Sequence, residues 1–273
     1  MKVLVTGGDG FLGNAVVKLL RNSDLDVLSL TRRTPSKSGY KYCDLALPSS
    51  LVELLKDVAP NCIVNLAATV DFSTGVLPTL YSVNSLCPAI MAEYCQRTKS
   101  YLIQASSIVA VGGQHTIYRV TTQPHPDTDY GCSKLLAEQA ILASGCSAAI
   151  IRFGGVFGSD GPQHLGLNRV ISQAKSGVPP RIVGNGTAKR NYVYVADAAA
   201  MIRKCLIESI NGVYYAGGET RSILQMFQEV CDVWIPGKEP ILLGGEDGQD
   251  QLVQASPQLG ITRSFQECLR DCS

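Results

Sequence analysis

A tyrosine and a lysine four residues apart carry the clearest chemical signal in this sequence. Tyr130 and Lys134 lie in Tyr-Gly-Cys-Ser-Lys at the start of a helical pattern, so both side chains should point along one helix face. An ammonium beside a phenol favours the phenolate and lowers a pKa that is ordinarily about 10. Such a tyrosine can take a proton from a substrate hydroxyl while hydride leaves the same carbon. Because the chain has 11 tyrosines, this spacing can arise by chance, and its meaning depends on its context.

The beginning of the chain provides part of that context. Residues 2–6 form a short apolar run typical of a buried strand, and Gly7-Gly8-Asp9-Gly10-Phe11-Leu12-Gly13 follows directly. A strand, a glycine turn and a helix start a βαβ unit, whose helix N-terminus can bind the pyrophosphate of a dinucleotide. The glycines fit two known spacings. Gly8, Gly10 and Gly13 match the general pattern G-x-G-x-x-G, whereas Gly7, Gly10 and Gly13 behind Thr6 match G-x-x-G-x-x-G.

The remaining pattern indicates an α/β fold. Strands are predicted at residues 26–31, 42–45, 61–68, 101–105 and 148–153, with helical patterns at 51–58 and 80–98 between them. This alternation predicts a doubly wound parallel sheet of the Rossmann type. We assign residues 1–158 to a dinucleotide-binding domain, with a return near 190–218, and residues 159–273 mainly to a smaller substrate-binding subdomain. Ser222 is expected to cap a helix, and residues 244–251 are expected to form a mobile polar loop.

The end of the second strand predicts the type of dinucleotide. In an NAD-binding unit an acid at this point takes the ribose 2′-hydroxyl, whereas an arginine accommodates a 2′-phosphate. Thr31 stands in the place of the acid, and Arg32 and Arg33 follow it. We therefore expect NADP rather than NAD. The alternative is that both arginines are solvated loop charges.

These motifs resemble the extended short-chain dehydrogenase/reductase superfamily, in particular its NAD(P)-dependent epimerase/dehydratase family, whose members modify nucleotide sugars. The matching motifs are Thr6-Gly7…Gly10…Gly13, Asn65-Leu66-Ala67-Ala68, Ser106-Ser107, Tyr130…Lys134, Arg152-Phe153-Gly154-Gly155-Val156-Phe157-Gly158, residues 184–197, residues 212–218 and residues 259–261. The resemblance therefore runs along nearly the whole chain.

The resemblance implies catalytic roles for a small set of residues. Tyr130 would be the general acid and base, Lys134 would hold the nicotinamide ribose, and Ser107, or else Ser106, would bind the reacting oxygen. Arg190 would bind a substrate phosphate, and its alternative is an ion pair bridging two domains.

The same resemblance predicts the contacts with the cofactor. Two of them have structural alternatives, a surface turn for Asp44 and a bridging role for Asn84. Besides Tyr130 and Lys134, the predicted cofactor contacts are Gly7, Gly10, Phe11, Leu12, Gly13, Arg32, Arg33, Asp44, Leu45, Leu66, Ala67, Ala68, Asn84 and Phe153.

Some positions depart from the family pattern. Ile108 and Val109 stand where dehydratases of the family carry an Asp-Glu pair, which disfavours water elimination. Gly155 and Tyr215 replace two asparagines that are common in sugar-nucleotide epimerases. We predict an epimerase or reductase acting on a hydroxyl or keto carbon of a sugar nucleotide. The alternatives are a reductase of a non-sugar carbonyl and a non-catalytic dinucleotide-binding regulator.

Composition excludes several other classes of protein. The net charge is +1, which does not suggest binding to nucleic acid or to an anionic membrane. No apolar run is as long as a membrane span, and we expect a cytoplasmic protein without a leader. The 10 cysteines include no C-x-x-C pair, so we expect free thiols and no metal site. A homodimer is left open.

Overall fold

The computed structural model describes residues 1–33, 38–70 and 77–272. The chain divides into two compact units. The first comprises the described parts of Met1–Gly113, Val120–Arg152 and Ala199–Tyr214. The second comprises Gln114–Arg119, Phe153–Ala198 and residues 215–272.

The structure contains an alternation of strands and helices. The strands are β1 (Lys2–Thr6), β2 (Asp26–Thr31), β3 (Tyr40–Tyr42), β4 (Cys62–Asn65), β5 (Tyr101–Ser107), β6 (Ile117–Tyr118), β7 (Ala148–Phe153), β8 (Val156–Phe157), β9 (Arg181–Ile182), β10 (Lys189–Arg190), β11 (Val193–Tyr194), β12 (Gly212–Ala216), β13 (Arg221–Ser222), β14 (Ile241–Leu242) and β15 (Leu252–Val253). The α-helices are α1 (Phe11–Arg21), α2 (Pro48–Val58), α3 (Leu77–Tyr81), α4 (Cys87–Thr98), α5 (Asp129–Ser144), α6 (Gly166–Lys175), α7 (Val195–Glu208), α8 (Ile223–Trp234) and α9 (Phe265–Cys272). Ser82–Leu86 is a π-helical turn, and Ile108–Ala110 and Pro257–Leu259 are 3₁₀ turns. None of the helices in the described ranges is both long and apolar enough to span a membrane.

A seven-stranded sheet forms the centre of the fold and confirms the predicted class. Its strand order is β12-β7-β5-β4-β1-β2-β3, and β3, β2, β1, β4 and β5 pair with their neighbours in parallel. Parallel strands end at the same edge of a sheet, so the carboxyl ends of β1, β4 and β5 lie side by side. The register places Thr6 opposite Asn65, and Asn65 opposite Gln104.

The core of the first unit follows from the apolar strand sequences. β4 is fully buried, as expected of a parallel strand covered on both faces. Helix α1 buries Val16, Val17 and Leu20, which share one face of the helix. Cys87 lies in an apolar cluster with Leu51 of α2 and Ile63 of β4, and burial raises the pKa of its thiol to about 12.

The helical segment before β5 differs from the single helix that the sequence predicts. A π-turn interrupts it at Ser82–Leu86, where the Cys87 N–H donates to the carbonyl of Ser82. Pro88 has no N–H and so cannot complete the regular bond to the carbonyl of Asn84. The proline thus explains an interruption that helical periodicity did not reveal, and Asn84 lies within it.

The second unit has its own apolar core and four two-stranded sheets. The loop at residues 244–251, expected to be mobile, is anchored by hydrogen bonds. The Asp247 carboxylate accepts the Thr187 hydroxyl and the backbone N–H groups of Asn185, Gly186 and Thr187. These bonds, the hydroxyl first, hold the pKa of Asp247 below its usual range.

Helix α8 begins with a reciprocal cap that offers a test of the second unit. Ser222 accepts the N–H of Gln225, whose side chain accepts the N–H of Ser222. Replacing Ser222 with Ala should lower the free energy of unfolding by about 1 kcal/mol because the cap is lost. Urea titration of the full chain measures this change. Ser222→Asp keeps an acceptor and should retain most of the stability, and an equal loss in both variants would contradict the capping role.

Candidate active site

The glycine turn is shaped by close contacts of its backbone. Gly7 has φ +65°, and a Cβ there would lie 2.9 Å from the backbone of Ala67. A Cβ on Gly13 would lie 2.0 Å from the Gly7 carbonyl oxygen. Gly8 is equally constrained, by the Ser29 hydroxyl at 1.9 Å from its Cβ position. Gly7 and Gly13 therefore allow the close backbone contacts of the turn itself, in agreement with the spacing Gly7, Gly10 and Gly13. Gly8 instead allows α1 and β2 to approach each other.

A cavity of about 190 Å³ opens beside this turn. Its lining is Gly7, Asp9, Gly10, Leu30, Thr31, Arg32, Cys43, Leu45, Leu66, Ala67, Ala68, Thr69 and Val83. Seven of the predicted cofactor contacts are among them. Phe11, Leu12 and Gly13 form the first turn of α1, which Gly10 precedes as N-cap and which no side chain of the described residues caps. The N–H groups of this turn therefore lie at the positive end of the helix dipole.

Two other predicted cofactor contacts, Asp44 and Asn84, have hydrogen-bond partners within the chain, and a third, Phe153, is buried. The Asp44 carboxylate accepts the N–H of Ala46 at 3.0 Å and so forms a turn. Asn84 bonds to the N–H and the carbonyl of Thr69, both at 2.8 Å, and donates to Ser133 Oγ. This supports the bridging role that the sequence left open for Asn84. Phe153 is buried at the end of β7 and belongs to the second unit.

The arginines after β2 line a second cavity, of about 430 Å³, with Asp9 and Gly10. Thr31 is hydrogen-bonded to two of the residues that line this cavity. Its hydroxyl donates to Asp9 Oδ2 at 2.9 Å and accepts the N–H of Arg33 at 3.1 Å. Two cationic side chains and one carboxylate thus share one exposed cavity.

A buried hydrogen-bond relay joins the carboxyl ends of three strands. The Thr6 hydroxyl donates to Asn65 Oδ1 and accepts the N–H groups of Leu66 and Ala67. Asn65 Nδ2 donates to Gln104 Oε1 at 2.7 Å, and Gln104 Nε2 donates to the Ala105 carbonyl at 2.8 Å. We call the side chains of Thr6, Asn65 and Gln104 the strand-end relay.

Lys134 meets the strand-end relay at its last acceptor. Its Nζ donates to the same Ala105 carbonyl at 3.1 Å and lies 5.8 Å from the centre of the Tyr130 ring. The lysine is buried, with 3% of its surface exposed. Burial lowers the pKa of Lys134 to about 8, although the nearby Glu138 carboxylate opposes this shift.

Burial opposes the lowering of the Tyr130 pKa that is expected from Lys134. Burial of the phenol raises its pKa to about 12. Desolvation penalises the phenolate, and the ammonium donates to the Ala105 carbonyl. At neutral pH Tyr130 is therefore an uncharged phenol that can donate a proton.

The two serines at the end of β5 have different environments. Ser106 is buried and donates to Glu138, whose carboxylate also accepts Arg152 in a buried ion pair. The Ser107 hydroxyl instead accepts the N–H of Val109 at 3.2 Å and is only half-buried. An accepting hydroxyl retains its own proton for a substrate oxygen, which favours Ser107 over Ser106.

The beginning of α5 packs closely on the turn that follows Ser107. Thr128 caps this helix by accepting the N–H of Gly131 at 3.0 Å. A Cβ on Gly131 would lie 2.4 Å from the Val109 carbonyl oxygen, so only glycine permits this approach. Because Tyr130 directly precedes Gly131, the contact brings the predicted acid and the predicted serine onto adjoining segments.

The second unit contains the predicted phosphate ligand Arg190 and the two positions, Gly155 and Tyr215, that replace asparagines of the family. Arg190 Nη1 donates to the carbonyls of Lys189 at 2.8 Å and Gln249 at 2.7 Å. A Cβ on Gly155 would lie 2.5 Å from the Tyr192 ring, so this ring occupies the space of an asparagine at that position. Tyr215 is fully buried. An asparagine contact to a diphosphate is therefore unavailable at position 155.

Sequence reasoning assigned no role to four polar side chains near the predicted site. Gln104 interrupts an apolar strand, Thr6 and Asn65 end their strands, and Asp9 lies within the glycine turn. Thr6, Asp9 and Asn65 entered the sequence analysis only as members of motifs, and Gln104 was not singled out. A polar residue at the end of several neighbouring parallel strands is the signal that would have identified the strand-end relay.

The buried Lys134 generates a prediction for stability and its pH dependence. At pH 7 the folded chain holds a desolvated ammonium, so Lys134→Met should raise the free energy of unfolding by about 2 kcal/mol. Above pH 8 the folded lysine loses its proton while the unfolded one keeps it until a pH of about 10.4. Wild-type stability should therefore rise with pH in this window relative to the variant.

Urea titrations at pH 7 and pH 9 measure the stability difference between Lys134→Met and the wild type. The control is Lys56→Met, which changes an exposed lysine on α2 and should show no comparable pH dependence. A Lys134→Met variant that is less stable than the wild type at pH 7 would contradict the prediction.

Comparison with known proteins gives several relatives. A UDP-glucose 4-epimerase from Azospirillum brasilense is 25% identical over 293 residues, covering 90% of this chain and 84% of the relative. A dTDP-4-dehydrorhamnose reductase from Mycobacterium tuberculosis is 26% identical, covering 82% and 75%. A methionine adenosyltransferase 2 subunit beta from Danio rerio is 29% identical, covering 85% and 74%.

Solved structures agree with the fold, and a family model matches most of the chain. The structure of UDP-N-acetylglucosamine 4-epimerase from Bacillus cereus superposes with a TM-score of 0.85 at 23% identity, covering 100% of this chain and 98% of that one. Residues 3–217 match the NAD dependent epimerase/dehydratase family. The match includes the glycine turn, the serine pair and Tyr130 with Lys134, and the chain therefore belongs to the NAD-dependent epimerase/dehydratase family.

Proposed function

We propose that this chain is an NAD(P)-dependent reductase or epimerase that interconverts a hydroxyl and a keto carbon of a nucleotide-activated sugar, with NADP as the favoured cofactor. The supporting observation is the position of Lys134. Its Nζ lies beside the Tyr130 ring and donates to the carbonyl of Ala105, the residue that precedes the serine pair. The epimerase and the reductase among the relatives support the substrate class. The ring of Tyr192 at Gly155 indicates that a sugar nucleotide would be held without the usual asparagine.

The residues at the glycine turn fit the adenosine and pyrophosphate part of a dinucleotide. Gly10 lines the cavity, and a Cβ built on it would meet only the Gly7 carbonyl among the described atoms within 4 Å. The open side of this glycine leaves room for a phosphate beside the first turn of α1. Leu45, Leu66 and Ala67 would pack on the adenosine, and Arg32 would pair with a 2′-phosphate. When bound, the nicotinamide exchanges hydride with the substrate carbon.

The chain's own residues would handle the proton at the substrate oxygen. Tyr130 is protonated at neutral pH and would donate its hydroxyl proton to a carbonyl oxygen. The Ser107 hydroxyl would hydrogen-bond the same oxygen and hold it in line. Lys134 is an ammonium below a pH of about 8, and its charge would stabilise the phenolate that remains after proton transfer.

The same residues serve both directions of the reaction. Reduction starts from the neutral phenol of Tyr130, and oxidation of a hydroxyl starts from its phenolate, which the Lys134 ammonium would stabilise in either case. Elimination of water needs further ionisable groups, and Ile108 and Val109 provide none. Net consumption of NADPH with a keto sugar would identify a reductase, and an isomerised sugar without net redox change would identify an epimerase.

A second candidate function is a dinucleotide-binding subunit that regulates another enzyme. The relative named as subunit beta of methionine adenosyltransferase 2 favours this candidate. Such a protein would bind the dinucleotide without needing proton transfer by Tyr130. The two candidates therefore differ in whether loss of the Tyr130 hydroxyl impairs the function of the protein.

Tyr130→Phe separates these two candidates. The variant should lose at least about 100-fold in kcat because the proton donor is absent, while its affinity for NADPH stays within a few fold of wild type. NADPH oxidation at 340 nm with dTDP- or UDP-linked keto sugars measures the rate, and fluorescence titration measures the affinity. If no keto sugar is turned over by the wild type and cellular function survives Tyr130→Phe, the regulatory candidate is correct.

The serine pair allows a matched comparison. Ser107→Ala should lower kcat by about 100-fold because the substrate oxygen loses a hydrogen bond formed in the transition state. Ser106→Ala should leave kcat within a few fold but lower the free energy of unfolding by about 1–2 kcal/mol, since the buried Glu138 carboxylate loses a donor. Steady-state kinetics and urea titration of both variants measure these effects. The reverse pattern would assign the substrate contact to Ser106.

A further inference from the structure

The carboxylate that is missing from the end of β2 is supplied by the glycine turn. Thr31 stands where an NAD-binding unit carries its acid. In the structure the Thr31 hydroxyl donates to Asp9 Oδ2 at 2.9 Å, so a carboxylate 22 positions earlier in the chain lies at this point. Asp9 lines both the cavity at the glycine turn and the cavity formed with Arg32 and Arg33.

Hydrogen bonds fix the position of this carboxylate. The backbone N–H of Arg33 donates to Thr31 Oγ1 at 3.1 Å, which leaves the hydroxyl proton directed at Asp9. A carboxylate can accept about four hydrogen bonds, so the bond from Thr31 leaves capacity for another donor. Thr31 is buried, with 6% of its surface exposed, whereas Asp9, Arg32 and Arg33 are exposed.

We propose that Asp9 sets the cofactor preference of this chain by opposing Arg32 and Arg33. Its carboxylate accepts the ribose 2′-hydroxyl of NAD and repels the 2′-phosphate of NADP, whereas the arginines attract that phosphate. The chain therefore binds both dinucleotides, and the preference for NADP is moderate. This inference rests on the proposed function, since it concerns the cofactor of that same site.

Elementary electrostatics gives the size of the effect. Two unit charges about 4 Å apart in water interact by an amount that corresponds to about a fivefold change in affinity. A 2′-phosphate carries more than one negative charge at neutral pH, and salt screens exposed groups. Removing the charge of Asp9 should therefore change the affinity for NADPH about fivefold, and the effect should shrink as salt is added.

The test compares the affinities of matched variants for NADPH and NADH by fluorescence titration at fixed ionic strength. Asp9→Asn keeps an oxygen for the Thr31 hydroxyl but removes the charge. It should bind NADPH about fivefold more tightly and NADH a few fold more weakly than the wild type. Arg32→Ala should shift the ratio of the two affinities in the opposite direction. Circular dichroism of each variant confirms that it is folded.

Asp24→Asn is the charge control. Asp24 is exposed in the turn between α1 and β2, at the other end of β2 from Thr31. Its removal changes the net charge by the same amount as Asp9→Asn, and the ratio of affinities should stay within about twofold because exposed charges are screened within about 8 Å.

The outcomes separate this inference from the function on which it rests. If the wild type binds NADPH but Asp9→Asn leaves the ratio of affinities unchanged, or shifts it towards NADH, the inference is overturned and the proposed function stands. An equal shift in Asp24→Asn would also overturn it, since the effect would then come from net charge. If the wild type binds neither dinucleotide, both the proposed function and the inference are overturned.

Discussion

The strand-end relay of Thr6, Asn65 and Gln104 is the interaction on which the site depends. Its three side chains are buried among apolar residues, where a polar group without a partner is costly, and here each has one. The relay aligns the ends of β1, β4 and β5, holds the backbone that touches Gly7, and finishes on the carbonyl that receives Lys134. The glycine turn and the buried lysine are thus parts of one hydrogen-bonded arrangement.

Sequence predicts the scaffold of this arrangement well because the signals are local. The apolar runs identify β1, β2, β4, β5 and β7, and the glycine spacing identifies the turn before α1. The partners of individual polar side chains are not local. Thr31 meets Asp9 across 22 positions, and Asn65 meets Gln104 across 39. No pattern within either segment indicates these contacts, since they arise only from the strand order.

The protonation states of Tyr130 and Lys134 could not be predicted from the sequence, because they also depend on contacts between distant segments. Helical spacing predicts that the two side chains are neighbours, and the structure places them so. It does not predict how much water each loses, and burial, rather than their mutual charge, dominates both pKa values. The helix interruption at Asn84 likewise follows from a single proline four residues later, Pro88, within a pattern that otherwise reads as a continuous helix.

The strand-end relay consists of one hydroxyl and two amides, none of which gains or loses a proton between the pKa values of Lys134 and Tyr130. The alignment of the strand ends is therefore insensitive to acidity over the range in which the reactive pair titrates. A change of pH alters the charges of Lys134 and Tyr130 but not the hydrogen bonds of the strand-end relay. A pH–rate profile of this protein would thus report on its chemistry with little contribution from this part of the scaffold.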